Sequence, residues 1–354
     1  MIQIGGLDAY ELDVNIPLKY GIKQAVGDTL GPGGVFRGLR TIPVFLDICR
    51  DIQELCPDAL FINYVNPMAI NCWALNKAGG IKNVGLCHSV QGTSEDIARY
   101  IEAPYEEISY KCAGVNHMAW FLEYKWNGKD AYPLIREKYN DLNVYNQDLT
   151  KFEFLKYYGY FVTESSYHMS EYVPYFRKKD EWIDRIKNIE SWLKEDDGSY
   201  LIRCKRLAKT FNEDMDEIVN ADKIEVVRTH EYGTYIIHAM ETGKPIVING
   251  NVENKGYIKN LPEGCCVEVP CLVDKNGIQP TLIGDLPLQL AALNRTNINV
   301  QELAVEGALT GCSDAVCQAI MMDPLTSAVL TLPEIHSMVT EMFEAEKQWL
   351  PQFK

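Results

Sequence analysis

The sequence predicts an α/β fold with a partial doubly wound parallel sheet, and two observations lead to this class. Residues 59–65 and 81–86 are short apolar runs, with the composition of strands that are buried on both faces of a parallel sheet. Residues 35–56 and 68–78, one before each run, repeat apolar side chains at helical spacing. Helix, strand, helix and strand therefore alternate, as in half of a Rossmann-like sheet.

The later part of the chain predicts a second, α+β region. Its periodicity indicates strands within 106–124, 245–249 and 266–273, and helices at 94–100, within 130–220, at 231–240 and within 285–350. Residues 196–199 are predicted to interrupt the helices, because they contain a turn-forming Asp-Gly pair. No low-complexity linker separates this region from the first one.

Composition narrows the class of function. The formal net charge of -15 argues against nucleic acid or an anionic membrane as partner, since both would be repelled. The eleven cysteines are scattered along the chain without the paired spacing of a zinc ribbon, and the first residues do not resemble a signal peptide. These observations predict a cytoplasmic protein with reduced thiols. No apolar run reaches the roughly 18 to 20 residues of a membrane span.

The glycine-rich stretch 28–34 is predicted to be a loop. Its backbone either connects two elements or lies against a ligand where side chains would not fit. Nowhere does the chain contain the G-x-G-x-x-G fingerprint of a dinucleotide fold. Residues 1–4 read as the last residues of a strand.

Polar residues follow both predicted parallel strands, where open α/β sheets bind their ligands. Asn66 either presents its amide to a ligand or caps the next helix. Cys87 is either a small buried hydrophobe or a metal ligand, and His117 is either a structural histidine or the second ligand of the same ion. His88 is a candidate proton donor or a group that supports the site.

Two further clusters are candidates for catalysis or sugar binding. Tyr232 and Tyr235 lie near the start of a predicted helix, in the segment 228–235, and a tyrosine acts as a base where a cation lowers its pKa. The alternative is that both tyrosines pack at the edge of that helix. Residues 159–168 and 249–251 combine aromatic, amide and small polar groups that suit a sugar.

Taken together, these segments resemble glycoside hydrolase family 4 and, within it, the melibiose-type α-galactosidases. The similar stretches keep their order along the chain and include IPLKYG, DTLGPGG, NYVNPMA, VGLCHSVQGT, CAGVNHMAW, GYFVTESS, NGNVENKGYIKNLP and MMDPLTSAVL. The resemblance implies a Rossmann-like domain followed by a domain similar to that of lactate and malate dehydrogenases. We therefore expect residues 1–107 to form the second half of an NAD-binding domain and residues 108–354 a substrate- and metal-binding domain.

The resemblance also implies an NAD- and Mn²⁺-dependent route of oxidation, elimination, addition and reduction, which differs from the usual scheme with two carboxylates. Position by position, it assigns the metal to Cys87 and His117, and the base to Tyr235, with Tyr232 as the alternative. The other roles carried over are substrate and cofactor contacts at Asn66, a substrate contact at Asn116, a cofactor contact at Gly33, the proton donor at His88 and an acidic group at Asp28 that tunes the tyrosine. Tyr10 stands where phosphoglycosidases of the family have an arginine, which favours an unphosphorylated α-galactoside.

One departure from the family pattern lies at the start of the sequence. About a hundred residues that would hold the glycine-rich NAD loop are not found, so we expect this chain to bind NAD poorly and its sheet to have an exposed edge. That edge favours a homo-oligomer. The alternatives to an α-galactosidase are a 2-hydroxy-acid dehydrogenase and a remnant without catalytic activity.

Overall fold

The computed structural model describes residues 4–187, 200–221, 223 and 231–354. Its strands are β1 (Leu60–Asn63), β2 (Lys82–Gly85), β3 (Ile108–Val115), β4 (Met118–Trp126), β5 (Lys129–Asp130), β6 (Ile246–Glu253), β7 (Cys266–Asp274) and β8 (Gly277–Pro280). Its helices are α1 (Gly6–Lys19), α2 (Gly31–Leu55), α3 (Met68–Ala74), α4 (Ser89–Tyr100), α5 (Tyr132–Glu137), α6 (Leu142–Tyr145), α7 (Leu149–Tyr158), α8 (Ser166–Met169), α9 (Asp180–Lys187), α10 (Tyr200–Val219), α11 (Tyr232–Thr242), α12 (Leu288–Thr310), α13 (Ser313–Met322), α14 (Pro324–Val329) and α15 (Leu332–Glu346).

The strands form one mixed sheet in the order β1-β2-β6-β7-β3-β4-β5, with β8 paired to β7. The predicted parallel pairing is confirmed for β1 and β2, which align Leu60 with Lys82 and Asn63 with Gly85. The remaining pairs are antiparallel, and a single bridge from Gly85 to Asn251 joins the parallel pair to β6. The sheet is thus continuous across the predicted boundary at residue 107, and the division into two domains stays a prediction.

The glycine-rich stretch departs from the sequence prediction. Residues 31–34 were expected to form a loop, but they are the first turn of α2. Pro32 suits a first helical turn, since its missing N–H would have no partner there. Gly33 and Gly34 pack so closely on the backbone of the preceding segment that a side chain would not fit. Tertiary packing therefore overrides the weak helix propensity of glycine.

Other boundaries differ by less. Helix α3 ends at Ala74 and continues as a π-helical turn, Leu75–Gly79, where one helix to 78 was predicted. Helix α4 starts five residues before the predicted residue 94. The strand predicted for residues 1–4 falls mainly on residues outside the described part, as does the break at 196–199, whereas Ile4 lies in a turn.

The core explains how the sheet positions the site. A hydrophobic cluster runs from α2 and α3 across the sheet to α12 and α13, and it includes Phe36, Ile70, Trp120, Ile248 and Ile298. Burying large apolar side chains stabilises the fold by about 1.5–3 kcal/mol each. The strand ends of β1 and β2 are therefore fixed, and the polar residues beyond them project into a cavity. No helix within the described ranges has both the length and the apolar character needed to cross a bilayer.

Candidate metal centre and active site

A polar cavity of about 690 Å³ lies beyond the carboxyl ends of β1 and β2. Five residues singled out from the sequence line it, namely Asp28, Asn66, Cys87, His88 and His117. The cavity also receives side chains from four other segments of the chain: Asp96 and Arg99 on α4, Asp148 and Lys151 around the start of α7, Glu164 and His168 near α8, and Tyr200 and Arg203 on α10. The fold thus brings the residues that follow β1 and β2 together with His117 from the β3–β4 turn.

Cys87, His117 and Glu164 converge at one point of this cavity. Their ligand atoms all lie within 4.8 Å of one another, and the Nε2 of His117 is 3.6 Å from Glu164 Oε2. The other ring nitrogen of His117, Nδ1, is 3.1 Å from the hydroxyl of Tyr172 and 3.3 Å from that of Thr29. These contacts orient the ring with Nε2 towards the cluster, as outer partners of metal-binding histidines do.

Glu164 is a candidate metal ligand that the sequence does not predict. Its backbone has a φ of 74°, a left-handed conformation that is uncommon for a residue with a side chain and is often kept for function. His168 supports it, with Nδ1 3.3 Å from Glu164 Oε1. The one sequence signal was the stretch 159–168, which was interpreted as a sugar-binding cluster and not as a source of a ligand.

The electrostatics around the cluster favour a cation. Burial and the nearby carboxylates of Glu164 and Glu268 raise the pKa of the Cys87 thiol to about 12. Burial raises the pKa of Glu268 to about 7, although the nearby His117 and Asn116 oppose this rise. Burial would also raise the pKa of Glu164, but the charges of His117 and His168 outweigh this effect and lower it. A divalent ion would offset this concentration of acidic groups.

The donor set fits such an ion. A thiolate, an imidazole and a carboxylate are the ligands of a borderline transition metal, and three protein ligands leave positions open for substrate. Metal binding would displace the thiol proton of Cys87.

Asp28 lies beside the cluster in a fixed hydrogen-bond network. Asn66 Nδ2 donates to Asp28 Oδ2 at 3.1 Å, and the hydroxyl of Thr29 donates to Asp28 Oδ1 at 2.8 Å. Burial would raise the pKa of Asp28, but Arg37, 3.6 Å away, and the charges of His168 and His117 hold it below its usual value. The segment before it is tied down by Glu171, whose carboxylate accepts N–H bonds from Ala25, Val26 and Gly27. The aspartate therefore stays ionised at a defined place in the wall.

His88 and the tyrosine candidates lie towards the rim. His88 is mostly exposed, its Nε2 contacts the carboxylate of Glu231, and its ring lies 6.0 Å from that of Tyr64. Gly233 of α11 donates its N–H to the Tyr64 hydroxyl at 3.0 Å, so the start of α11 is held next to His88. Tyr235 is half-buried one turn further along and is not among the residues that line the cavity.

Tyr232, the alternative base, is buried, and burial raises its pKa, which makes it a poor base. Of the segment 228–235 that drew attention to both tyrosines, residues 228–230 lie outside the described residues. The catalytic role of Tyr235 stays a prediction.

Three other predicted residues are placed away from the cavity surface. Gly33 is enclosed in the first turn of α2, where an added Cβ would lie 2.4 Å from the carbonyl oxygen of Gly27. Asn116 is buried next to His117, with no hydrogen-bond partner for its side chain in the part of the chain that the structure describes. Tyr10 is buried and donates to the Val26 carbonyl at 2.6 Å. The roles of Gly33 and Asn116 in cofactor and substrate binding are therefore not supported by direct access to the cavity.

Fold and site together define an α/β enzyme with a candidate metal centre at the carboxyl ends of parallel strands. Comparison with known families makes this specific. The model of the family described as "Family 4 glycosyl hydrolase" matches residues 1–103. The model of the family described as "Family 4 glycosyl hydrolase C-terminal domain" matches residues 112–326. The chain belongs to glycosyl hydrolase family 4, and it is a glycosidase by this membership, which confirms the resemblance seen in its motifs.

Individual relatives of this chain are also named as glycosidases. An α-galactosidase of Bacillus subtilis (strain 168) is 44% identical over 100% of this chain and 81% of its own length. An α-galactosidase of Rhizobium meliloti (strain 1021) is 37% identical over 99% of this chain and 73% of its own length. The crystal structure of a putative glucosidase, lplD, from Bacillus subtilis is 28% identical with a TM-score of 0.83, over 97% of this chain and 82% of the other. A 6-phospho-α-glucosidase from gut microorganisms, solved with NAD and Mn²⁺, shares the fold with a TM-score of 0.81. It is 20% identical in sequence, and the match covers 100% of this chain and 81% of the other.

Proposed function

We propose that this glycosidase is an α-galactosidase whose activity depends on a divalent metal, with Mn²⁺ as the expected ion. The observation that carries the proposal is the convergence of Cys87, His117 and Glu164 within one polar cavity. The substrate class is supported by the two relatives whose printed name is α-galactosidase, the nearer of them at 44% identity.

Cys87, His117 and Glu164 would hold the metal. When bound, the ion would act as a Lewis acid towards the hydroxyl oxygens of the sugar ring. Other side chains near the cluster would bind the sugar. Asn66 and the ionised Asp28 would bind sugar hydroxyls through their hydrogen-bonding groups, because both line the same wall of the cavity.

Proton transfer would involve the rim of the cavity. His88, oriented by Glu231, would give a proton to the leaving-group oxygen. Tyr235 on α11 stays the candidate base that the family resemblance implies, and its side chain is not among those that line the cavity. The contact of Tyr64 with Gly233 holds the start of α11 next to His88.

NAD is the proposed redox cofactor, as in the family structures that contain it. When bound, it would supply the reversible oxidation of a sugar hydroxyl. The described residues do not fit its pyrophosphate, because Gly33 and Gly34 pack on protein backbone and no glycine-rich phosphate loop is found within the described ranges. We therefore derive no step through NAD and expect weak NAD binding.

We further infer that the enzyme works in the cytoplasm and without a nucleic-acid partner. All eleven cysteines are free thiols, and seven of them are buried, which suits a reducing compartment. The formal net charge of -15 disfavours nucleic acid.

The proposal is tested by hydrolysis of p-nitrophenyl α-galactoside, with Mn²⁺, NAD and a thiol reductant added separately and together. We expect release of p-nitrophenol that requires Mn²⁺ and is abolished by a chelator. The 4-epimer, p-nitrophenyl α-glucoside, is the control for sugar specificity. Hydrolysis that persists at full rate after chelation would contradict a metal-dependent mechanism, and a preference for the glucoside would contradict the substrate class.

A further inference from the structure

One wall of the cavity has no role in the function proposed above, and a single face of helix α4 forms it. His88, Gly92, Asp96 and Arg99 all line the cavity. They are spaced by four, four and three residues, so they lie on one face of the helix over about 16 Å. Because Cys87 directly precedes His88, this wall begins next to the metal cluster and leads away from it.

The position of His88 decides which part of a substrate meets the α4 wall. In the proposed function the galactose ring binds at the metal cluster, and His88 gives a proton to the leaving-group oxygen. A proton donor has to lie within hydrogen-bond reach of that oxygen, about 2.6–3.2 Å between heavy atoms. The group attached to the oxygen therefore extends past His88, along the helix that starts there.

The far end of the α4 wall is polar and held in place by hydrogen bonds. Arg99 Nη2 donates to Asp96 Oδ1 at 2.7 Å, and Arg99 Nη1 donates to Gln147 Oε1 at 2.7 Å. Carboxylate and amide oxygens accept more than one hydrogen bond, so Asp96 and Gln147 can also accept from the hydroxyl groups of a ligand. None of the α4 residues that line the cavity is aliphatic. A sugar suits this wall, whereas an apolar group would desolvate it without compensation.

Gly92 leaves open space in the middle of the wall. Its N–H donates to the carbonyl of His88 at 2.9 Å, which places it one helical turn further along. Apart from its chain neighbours and its own helical turn, the described residues place no atom within 4 Å of an added Cβ. A larger side chain here would project into the cavity between His88 and Asp96, although it would favour the helix over glycine.

We infer that this face of α4 is the leaving-group subsite, in which Gly92 makes room for a sugar ring and Asp96, Arg99 and Gln147 bind its hydroxyl groups. The inference rests on the proposed function and deepens it. The preferred substrate is then a galactoside whose leaving group is itself a sugar, and Gly92 sets the size of the leaving group that the cavity accepts.

The test compares the binding of two ligands that share the galactose ring. Melibiose, an α-galactosyl-glucose disaccharide, reaches the α4 wall, whereas methyl α-galactoside does not. Saturation-transfer nuclear magnetic resonance measures both affinities with Mn²⁺ present and no NAD added, so that the proposed redox route does not consume the ligands. We expect the disaccharide to bind about tenfold more tightly, because its second ring adds hydrogen bonds. Its glucose protons are expected to receive saturation from the protein.

Three variants locate the subsite. Gly92→Leu fills the space and is expected to weaken binding of the disaccharide by at least about tenfold, with methyl α-galactoside unaffected. Arg99→Met keeps the aliphatic stem but removes the guanidinium, and it should weaken the disaccharide alone by about fivefold. Glu54→Leu introduces the same side chain at an exposed position of α2 and is the control for both ligands.

The two ligands separate this inference from a folding defect and from the proposed function. A variant that folds poorly would bind both ligands more weakly. An unmodified chain that binds neither galactoside would contradict the proposed function, and the inference would fall with it. An unmodified chain that binds both ligands equally, with saturation confined to the galactose ring, would overturn the inference alone. So would a Gly92→Leu variant that weakens both ligands to the same extent or neither of them.

Discussion

At the scale of single residues, the metal cluster depends on groups that are far apart in sequence. Cys87 follows β2, His117 lies in the β3–β4 turn and Glu164 precedes α8. Two of these three were predicted from the sequence: Cys87 because it follows a predicted parallel strand and matches a family motif, and His117 because it matches a family motif. Glu164 was not, because nothing local distinguishes a carboxylate that folding brings to the cluster from one on the surface.

Glu164 gives the first prediction. Glu164→Gln keeps the shape of the side chain but removes its charge, so Mn²⁺ affinity is expected to fall by about tenfold to a hundredfold. The measurement is the free Mn²⁺ signal in electron paramagnetic resonance during a titration. Glu263→Gln, at an exposed position, is the control and should bind as the unmodified chain does. Equal affinity of the Glu164 variant would remove this residue from the centre.

Gly33 gives a second prediction at this scale. A methyl group at this position meets two backbone oxygens, those of Gly27 at 2.4 Å and Asp13 at 3.0 Å, neither of which is a flexible side-chain end. Gly33→Ala is expected to lower the free energy of unfolding by about 1–3 kcal/mol in urea denaturation. Gly92→Ala, a helical position with open space around it, should be neutral or gain up to about 1 kcal/mol. If Gly33 served only a cofactor, its variant would be as stable as the unmodified chain.

At the scale of elements, periodicity predicted most helices and strands, but neither α1 nor the start of α2. Apolar spacing is a local property, so it identified β1, β2, β6 and β7 closely. The glycines at 31–34 read as a loop because their propensity is poor, whereas their close packing on the preceding segment is decided by tertiary contacts. The antiparallel continuation of the sheet from β2 into β6 likewise joins residues more than 160 positions apart, which no local pattern encodes.

Helix α14 gives a prediction about pH. Asp323 caps this helix by accepting from the N–H of Thr326 at 2.8 Å and from its hydroxyl at 2.7 Å, while Asp323 Oδ1 has no partner among the described residues. Burial raises the pKa of Asp323 to about 6, from 3.8, in spite of the Thr326 hydrogen bonds. The folded state therefore holds this proton more tightly than the unfolded state does. The bound proton therefore stabilises the folded state fully below pH 3.8, and this stabilisation is lost as the pH rises through 6.

Asp323→Asn should remove this pH dependence. The difference in free energy of unfolding between the unmodified chain and the variant is expected to change by about 2 kcal/mol between pH 4 and pH 7, to the disadvantage of the unmodified chain at the higher pH. Urea denaturation at several pH values measures it, with Asp285→Asn, at an exposed position, as control. A difference that is constant with pH would show that Asp323 is ionised throughout.

At the scale of the whole molecule, one continuous sheet carries both the strand ends that hold Asn66 and Cys87 and the turn that holds His117. The candidate metal centre therefore combines residues from both predicted domains. The carboxylates of Glu164 and Glu268 near the Cys87 thiol are the charges that a bound cation would offset.

The central claim is that Cys87, His117 and Glu164 form one metal site, and a Mn²⁺ titration followed by electron paramagnetic resonance tests it most directly. We expect one Mn²⁺ per chain in the unmodified protein and at least about tenfold weaker binding in Cys87→Ser. Cys56→Ser, which changes an exposed thiol away from the cavity, should bind as the unmodified protein does. A titration that shows no bound Mn²⁺ in the unmodified protein, or the same isotherm in Cys87→Ser, would contradict the claim.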